Sequence, residues 1–326
     1  MATNFIPGLV SVVIPAYNQE RFIAETLQSV LDQSYTNLEV VISDDASTDR
    51  TCDIIRGFAD RDARIRPLFS EKNQGISQNF NRAFDHCQGE FTAFLGGDDV
   101  MLPGKIETQV NLLKVQPDVV LCHHDMIMFD SETGAEIKKL SDDGKVPEDP
   151  LDWVLPVNWF FGKKMSGVLP SSCLARSEYY LHGRYPTDFK FKHELLFTLD
   201  DYAANPSGKW HYLPEVLGRY RIHDGNFSFQ PENRMLIREE NERMCAMALE
   251  RYPQLKKRIR SHRNYRRFLD LVFDRDADAE LKRLFLAQAT ASQKIYLRFC
   301  RWLNKSGLLF TFFKPVRFYY YLRGHR

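Results

Sequence analysis

Strand-like apolar runs alternate with helical patterns through the first third of the chain, and this alternation constrains the fold more than any other feature. The predicted strands are continuous apolar runs that end at a breaker or a polar residue: Leu9–Pro15, Leu38–Ile42, Ile65–Phe69 and Phe91–Leu95. Apolar residues recur at helical spacing in the segments between them: Gln19–Gln33, Asp49–Ala59 and Ile76–Cys87. Fully apolar strands separated by helices predict an α/β fold with a mostly parallel, Rossmann-like sheet flanked by helices.

Polar clusters follow the first, second and fourth predicted strands. They are Tyr17-Asn18, Asp44-Asp45 and Asp98-Asp99. Ligands of open parallel sheets gather at the carboxyl ends of the strands. We therefore expect these clusters to meet at one edge of the sheet and to form a binding site there.

The charges of the chain are distributed unevenly. The 44 basic and 43 acidic residues give a net charge of +1, but the last 36 residues, from Ala291 to Arg326, hold eight basic and no acidic residues. The preceding part therefore has 36 basic and 43 acidic residues, a net charge of −7. Ten aromatic residues are interleaved with the basic residues of this tail.

A basic and aromatic amphipathic segment is typical of an in-plane helix at an anionic membrane surface, and we expect residues 291–326 to bind there. Packing of the tail on the preceding part of the chain, or on a second subunit in a homo-oligomer, is an alternative. Nucleic-acid binding is the other use of basic and aromatic sequence, and we do not expect it. From Pro231 to Ala291 the pattern is helical and highly charged, so the tail would follow a helical C-terminal extension.

The cysteines and the termini predict a cytoplasmic location. Six cysteines are scattered along the chain without a Cys-x-x-Cys pair, which is typical of a reduced protein. Residues Met1–Gly8 contain no Lys or Arg and no long apolar run, so they do not resemble a secretory signal. No segment reaches the roughly 18 consecutive apolar residues of a membrane-spanning helix. Together with the tail, this predicts a peripheral protein on the cytoplasmic side of a membrane.

Four motifs occur in order within residues 10–99. They are Val10–Asn18 (VSVVIPAYN), Ser43–Asp49 (SDDASTD), Asn73–Ser77 (NQGIS) with Asn81, and Gly89–Asp99 (GEFTAFLGGDD). In this order and spacing the chain resembles the family 2 glycosyltransferases, over roughly residues 9–228. The resemblance implies a GT-A fold and an inverting transfer of a sugar from a nucleotide sugar to a hydroxyl group.

The resemblance also implies where the donor binds. It assigns nucleotide binding to Pro15, Ala16, Tyr17, Asn18, Asp44, Asp45, Asn73, Gly75, Asn81, Gly97 and Asp98. Of these, Asp45 would accept the N3–H of uracil or thymine, while Tyr17 would flank the ring. An Asx turn with helix capping through Ser47 and Asp49 is the structural alternative, and both can hold at once.

A diphosphate leaving group needs charge neutralisation, and the resemblance implies a Mn²⁺ or Mg²⁺ cofactor held by Asp98, Asp99 and His223. Gly96 stands where the family usually carries an Asp, which removes one potential ligand or ribose contact. The structural alternatives are that the acidic pair only caps the following helix and that His223 only packs.

The family usually carries an acidic pair that supplies the catalytic base, and this chain has His193-Glu194 at that position. The resemblance therefore assigns the role of the base to Glu194. A carboxylate there can remove the proton of the acceptor hydroxyl. Asp188, Asp200 and Asp201 are rival carboxylates, and a solvated helix residue is the structural alternative. We expect contacts to the acceptor or the phosphates from Ser171, Ser172, His193 and Arg221.

The sequence therefore predicts two parts. Residues 1–228 would form the GT-A catalytic domain, with residues 1–120 binding the nucleotide sugar and residues 121–228 the acceptor; residues 229–326 would form the helical extension. The expected function is transfer from a UDP- or dTDP-sugar to a lipid-linked glycan in bacterial O-antigen or capsule synthesis, at the inner membrane. The alternative is a catalytically silent GT-A-like nucleotide-sugar-binding or scaffold protein.

Overall fold

The computed structural model describes the greater part of the chain, namely residues 5–144, 146, 149–155, 168–181, 183–190, 194–226, 233–273 and 279–305. The chain divides into two compact units. The first comprises Met1–Val154 and Met165–His223, and the second comprises Leu155–Lys164 and Asp224–Arg326. The change from one unit to the other thus falls at residues 223–224, five residues before the predicted boundary.

The first unit begins with four parallel strands connected by helices. In chain order these elements are β1 (Ile6–Ala16), α1 (Ile23–Leu31), β2 (Leu38–Asp44), α2 (Thr51–Ala59), β3 (Ile65–Phe69), α3 (Ile76–Phe84) and β4 (Gly89–Phe94). The strands lie in the order β3-β2-β1-β4, and each pairs in parallel with its neighbours among them. The predicted alternation of strands and helices is confirmed in this region.

The rest of the first unit extends the same sheet with mixed directions. Its elements are β5 (Val100–Met101), α4 (Lys105–Val115), β6 (Val119–Asp130), β7 (Glu136–Lys139), α5 (Pro150–Val154), β8 (Cys173–Arg176), α6 (Glu194–Ala204) and β9 (Lys209–Ile222). The sheet continues from β4 as β8-β6-β9-β5, with β7 beside β6. β8 is antiparallel to both β4 and β6, whereas β9 is parallel to β6. The sheet is therefore parallel in its first half and mixed in its second.

Apolar side chains on both faces of the central strands bury the sheet between two cores. Successive side chains of a strand point to opposite faces, and β1 shows this: Val12 and Ile14 pack with Leu27 of α1, while Val13 belongs to the core that contains Phe94. All seven residues of β2 are buried. Two buried faces require continuous apolar runs, which explains why these strands were readable from the sequence.

The second unit is helical in its described residues, as expected for residues 231–291. Its helices are α7 (Arg234–Arg251), α8 (Lys256–Phe273), α9 (Ala279–Gln288) and α10 (Ala291–Lys305). One apolar core joins the last three, formed by Phe268, Leu271, Val272, Leu281, Phe285, Leu297 and Cys300. Among the described residues, no helix has the length and apolar character needed to span a membrane. Residues 306–326 of the predicted tail lie outside the described residues.

Candidate active site at the carboxyl ends of the strands

The carboxyl ends of β1 and β2 lie side by side and bring two of the predicted polar clusters together. Ala16 pairs with Asp44 in the parallel register, and the N–H of Asp45 donates to the carbonyl of Ala16 at 3.0 Å. Asn18, which has a left-handed φ of 51°, donates its N–H to the Ser47 hydroxyl at 2.8 Å. Tyr17 lies beside them with 45% of its surface exposed, so its ring is available to a ligand.

The two carboxylates of the Asp44-Asp45 pair are both buried and serve different loops. Asp44 accepts hydrogen bonds from the Ser47 N–H at 2.9 Å and from the Ser47 hydroxyl at 2.5 Å, which closes an Asx turn. Asp45 accepts the N–H groups of Gln74 and Gly75 at 2.9 and 2.8 Å. Asp45 therefore fixes the loop that leads into α3, while each of its oxygens keeps a further lone pair.

The third predicted motif is divided between two parts of the site. The side-chain oxygen of Asn73 accepts the N–H of Gly75 at 3.1 Å, and Gly75 has a φ of 88°, which favours glycine at this turn. The structure places Asn81 elsewhere: its amide makes two hydrogen bonds, of 2.8 and 3.0 Å, with the backbone of Tyr185. Asn81 thus connects α3 to the segment that precedes Glu194.

Arg82 is a site residue that the sequence analysis missed. Its guanidinium donates to the Ser43 hydroxyl, to the carbonyl of Asp44 and to the side-chain oxygen of Asn79, at 2.7, 2.7 and 2.8 Å. The arginine therefore joins α3 to the carboxyl end of β2. A basic residue on the polar side of a helix that follows an acidic strand end is the signal that could have identified it.

The turn after β4 carries the second acidic pair and lies against the end of β1. A Cβ atom placed on Gly97 would be 3.1 Å from the carbonyl oxygen of Pro15, so only glycine permits this close approach without a shift. The Thr26 hydroxyl of α1 lies 3.1 Å from the carbonyl of Gly97 and 2.8 Å from that of Asp99. The second acidic pair is thereby held next to the motif at the end of β1, as the sequence predicts for strand ends at one edge.

Asp99 is an internal anchor of this turn. Its carboxylate is 1% exposed and accepts hydrogen bonds from the Ser171 hydroxyl at 2.5 Å and from the backbone N–H of Arg221 at 3.1 Å. Burial, with repulsion from Asp98, raises the pKa of Asp99 well above its usual range. The structure therefore connects three distant segments through this carboxylate and gives it little access to a ligand.

Asp98 is the more exposed member of the acidic pair, and it lies against His223. The carboxylate oxygen Oδ2 of Asp98 lies 3.0 Å from Nε2 of His223, and the side chain of Asp98 retains 18% exposure. The ring of His223 packs against that of Phe22, with the centroids 4.5 Å apart. Of the two acidic side chains, Asp98 is the one that could reach a cation.

Arg221 is held by protein groups on all sides. Its guanidinium donates to the carbonyl of Asp98 at 2.7 Å and to the Glu25 carboxylate at 2.5 Å, and it lies against the rings of Phe22 and Phe129. The side chain is only 6% exposed. In this arrangement the arginine orders the turn that presents Asp98.

The donor set at Asp98 and His223 fits a divalent cation that shares its coordination with a substrate. Among the described residues, no group of three or more His, Cys, Asp or Glu side chains could hold a metal. One carboxylate and one imidazole suit Mn²⁺ or Mg²⁺ when phosphate oxygens complete the coordination sphere. Gly96 is compatible with this arrangement, because a Cβ atom there would be 2.8 Å from Oδ1 of Asp98.

The two serines of the expected acceptor region are buried. Ser171 accepts the N–H of Gly96 at 3.0 Å in addition to donating to Asp99. Ser172 donates its hydroxyl to the carbonyl of Leu169 at 2.7 Å. Both hydroxyls are therefore used within the protein, and His193, predicted beside them, lies outside the described residues.

Glu194 is the first residue of α6 and is partly exposed. A carboxylate at a helix N-terminus interacts favourably with the helix dipole. Of the rival carboxylates, Asp201 has no exposed surface, accepts the N–H of Gly183 at 2.7 Å and has its pKa raised to about 8 by burial. Because Asp201 is fully buried, it has no surface to offer to an acceptor hydroxyl, which leaves exposed Asp188 and partly exposed Asp200 as rivals.

The comparisons with known proteins point to one family. The sequence model of glycosyl transferase family 2 matches residues 11–161. An uncharacterised glycosyltransferase of Nostoc sp. is 33% identical over 222 residues, which is 67% of this chain and 66% of the relative. A second relative, from Escherichia coli, is named UDP-Glc:alpha-D-GlcNAc-diphosphoundecaprenol beta-1,3-glucosyltransferase; it is 37% identical over 105 residues, 32% of this chain and 41% of its own length.

The fold also agrees with solved structures. The crystal structure of Staphylococcus aureus TarS with UDP-GlcNAc has a TM-score of 0.62 at 18% identity, over 86% of this chain and 79% of that one. The expected GT-A fold is confirmed by this similarity. The chain spans 44% to 66% of the length of the first curated relatives that it matches.

Proposed function

Because the chain belongs to glycosyltransferase family 2, we propose that it is an inverting glycosyltransferase that moves a sugar from a UDP- or dTDP-sugar to a glycan hydroxyl. The observation that carries the proposal is the position of Asp98, on a turn that touches the end of β1, with Nε2 of His223 3.0 Å from its Oδ2. In this proposal, the cation site for the diphosphate lies beside the loops that hold the pyrimidine base of the nucleotide.

The donor base binds between the ends of β1 and β2 in this proposal. Exposed Tyr17 flanks the pyrimidine ring, and Asp45 accepts its N3–H while still holding the loop before α3. The E. coli relative is named for a UDP-sugar donor, and the TarS structure contains UDP-GlcNAc, which supports a uracil nucleotide.

Asp98 and His223 would hold Mn²⁺ or Mg²⁺ against the diphosphate, where the cation supplies neutralisation of the leaving-group charge. Glu194 takes the proton of the acceptor hydroxyl as its oxygen attacks the anomeric carbon. Direct displacement inverts the configuration at that carbon and releases the nucleoside diphosphate. Arg221 and Asp99 keep the turn in place during this step, since both are buried and held by several hydrogen bonds.

The acceptor is a lipid-linked glycan, as in bacterial O-antigen or capsule synthesis. The E. coli relative is named for a diphosphoundecaprenol-linked acceptor. The helix α10 supports attachment to a membrane surface: Ile295 and Phe299 are 67% and 47% exposed, with basic Arg298 also exposed between them. Leu297 and Cys300 of the same helix are buried in the helical core, so α10 has one packed and one outward face. This would place the protein at the cytoplasmic face of the inner membrane.

A silent nucleotide-sugar-binding protein is the second candidate, favoured by Gly96 and by the low exposure of Asp99. Transfer and hydrolysis assays with a panel of nucleotide sugars and Mn²⁺ separate the two candidates. The enzyme releases a nucleoside diphosphate in the presence of acceptor, whereas the binding protein gains only thermal stability from the donor.

Glu194→Gln is the decisive variant for the proposed base. We expect its transfer rate to fall by about 10² to 10⁴, because the amide cannot accept the proton, while the KM for the donor changes little. Asp188→Asn, at an exposed rival carboxylate in the preceding segment, serves as the matched control and should retain the wild-type rate. Equal rates for Glu194→Gln and wild type would remove Glu194 from the mechanism.

Membrane attachment is tested by co-sedimentation with liposomes that contain phosphatidylglycerol. Replacing an exposed apolar side chain with Ile295→Ser should weaken binding to these liposomes, since less apolar area enters the interface. The control Gln288→Ser changes an exposed position of α9 and should bind as wild type does. Absence of wild-type sedimentation, or equal sedimentation of Ile295→Ser and wild type, would contradict membrane attachment through this face.

A further inference from the structure

Lys105, the first residue of α4, is a lysine with no exposed surface. Its ammonium group donates to the carbonyl of Ser171 at 2.8 Å. Burial lowers the pKa of Lys105 to about 8, and the nearby carboxylate of Asp99 acts in the opposite direction. Burying a lysine is costly unless the charge is compensated. Since Lys105 cannot reach solvent, it cannot itself bind the diphosphate of a donor.

The ammonium group is connected to the acidic turn through one serine. The Ser171 hydroxyl donates to Asp99 at 2.5 Å and accepts the N–H of Gly96 at 3.0 Å. One hydroxyl group therefore bridges both ends of the turn that carries Asp98, and Lys105 fixes the carbonyl of the same residue. The chain of contacts runs from α4 through Ser171 to the turn.

Two buried groups interact electrostatically with Lys105, namely the carboxyl group of Asp99 and the imidazole of His124. Among the described residues, Oε1 of Gln109, one turn further along α4, is a buried acceptor without a hydrogen-bond partner, and so is Nε2 of His124. Nδ1 of His124 lies 2.7 Å from the carbonyl of Asp125, which assigns the proton to Nδ1 and leaves Nε2 an acceptor. Burial lowers the pKa of His124, and the positive charge of Lys105 lowers it further. The one hydrogen bond of the ammonium group among the described residues is therefore the one to the carbonyl of Ser171.

We propose that Lys105 is a positioning residue: its buried ammonium group fixes Ser171, whose hydroxyl holds Gly96 and Asp99 in the geometry that presents Asp98 and His223 to a cation and a diphosphate. This inference rests on the proposed function, because it assigns the turn to cation binding. It predicts that a change at Lys105, which has no exposed surface, alters cation binding through Ser171.

The test is a calorimetric titration of the full chain with UDP, with and without Mn²⁺. Lys105→Met keeps the length of the side chain and removes its charge and its hydrogen bond. We expect the Mn²⁺-dependent affinity for UDP to fall about 10- to 100-fold. Losses of this size are typical when a residue that orients a metal ligand is replaced. The metal-free affinity should change less than about twofold, since the base-binding loops are untouched.

Gln33→Met is the matched control. Buried Gln33 donates to the carbonyls of Ser29 and Leu102 and accepts the N–H of Ile106, so it secures the start of α4 without touching Ser171. It should lower the melting temperature and leave the Mn²⁺-dependent affinity unchanged. Ser171→Ala removes only the bridging hydroxyl and keeps the test valid if Lys105→Met does not fold.

The double variant Lys105→Met/Ser171→Ala separates positioning from general loss of packing. If both residues act in one chain of contacts, the double variant loses no more Mn²⁺-dependent affinity than the worse single variant. Additive losses, an equal loss in Gln33→Met, or wild-type affinity in Lys105→Met and Ser171→Ala would overturn the inference. A wild-type protein that binds UDP without any effect of Mn²⁺, or not at all, would overturn the proposed cation site and with it this inference.

Discussion

The two Asp-Asp pairs of this protein have the same sequence and follow strands of the same sheet, yet their carboxylates do different work. In the pair Asp44-Asp45, both side chains are almost fully buried, and both accept hydrogen bonds from backbone N–H groups of loops. In the pair Asp98-Asp99, only Asp99 is enclosed, whereas Asp98 keeps 18% exposure and pairs with His223.

The surroundings of each carboxylate, rather than its place in a motif, set this difference. An Asp that accepts several local hydrogen bonds stabilises a turn, and any contact that it makes with a ligand comes in addition to that role. An Asp that lies beside an imidazole at an open edge has a donor set that a cation can share. Of the four carboxylates, Asp98 is therefore expected to matter most for the chemistry and Asp44 most for the local fold.

Asp98→Asn should have the largest effect. Without this carboxylate the cation is held less well, and the transition state loses several kcal/mol of charge stabilisation. We therefore expect the transfer rate to fall by about 10³ or more. The stability should remain near that of wild type, because the side chain is partly exposed and the backbone contacts of the turn are kept. Steady-state kinetics with saturating Mn²⁺ and urea denaturation measure the two quantities.

Asp44→Ala should show the opposite pattern with a smaller effect. Loss of the hydrogen bonds from Ser47 should lower the free energy of unfolding by about 1–2 kcal/mol, as for the loss of a capping residue. The transfer rate at saturating donor should change far less than in Asp98→Asn. A rate loss in Asp44→Ala as large as that in Asp98→Asn, without loss of stability, would refute the division of roles between the pairs.

The sequence predicted the first four strands and their order along the chain because each is buried on both faces and shows as an unbroken apolar run. It also predicted that Tyr17, the two acidic pairs and their neighbours meet at one edge, which follows from parallel strands. The family and the GT-A fold inferred from these motifs are confirmed by the comparisons.

The antiparallel strand β8 and the long strand β9 were not predicted, because four or fourteen residues of mixed composition become strands only through pairing with distant partners. The same limit applies to individual side chains. The burial of Asp99 depends on Ser171 and Arg221, which lie 72 and 122 residues further along the chain. The position of Lys105 likewise depends on its contact with Ser171, which no local pattern encodes.

Calorimetric titration of UDP into wild type and Asp98→Asn, each with Mn²⁺ and with EDTA, tests the central claim most directly. The claim is that Asp98, and not the equivalent residue of the other pair, presents a cation to the diphosphate. We predict that Mn²⁺ increases the affinity of the wild type for UDP at least about tenfold and leaves that of Asp98→Asn unchanged. The same increase in both proteins, or none in the wild type, would contradict the claim.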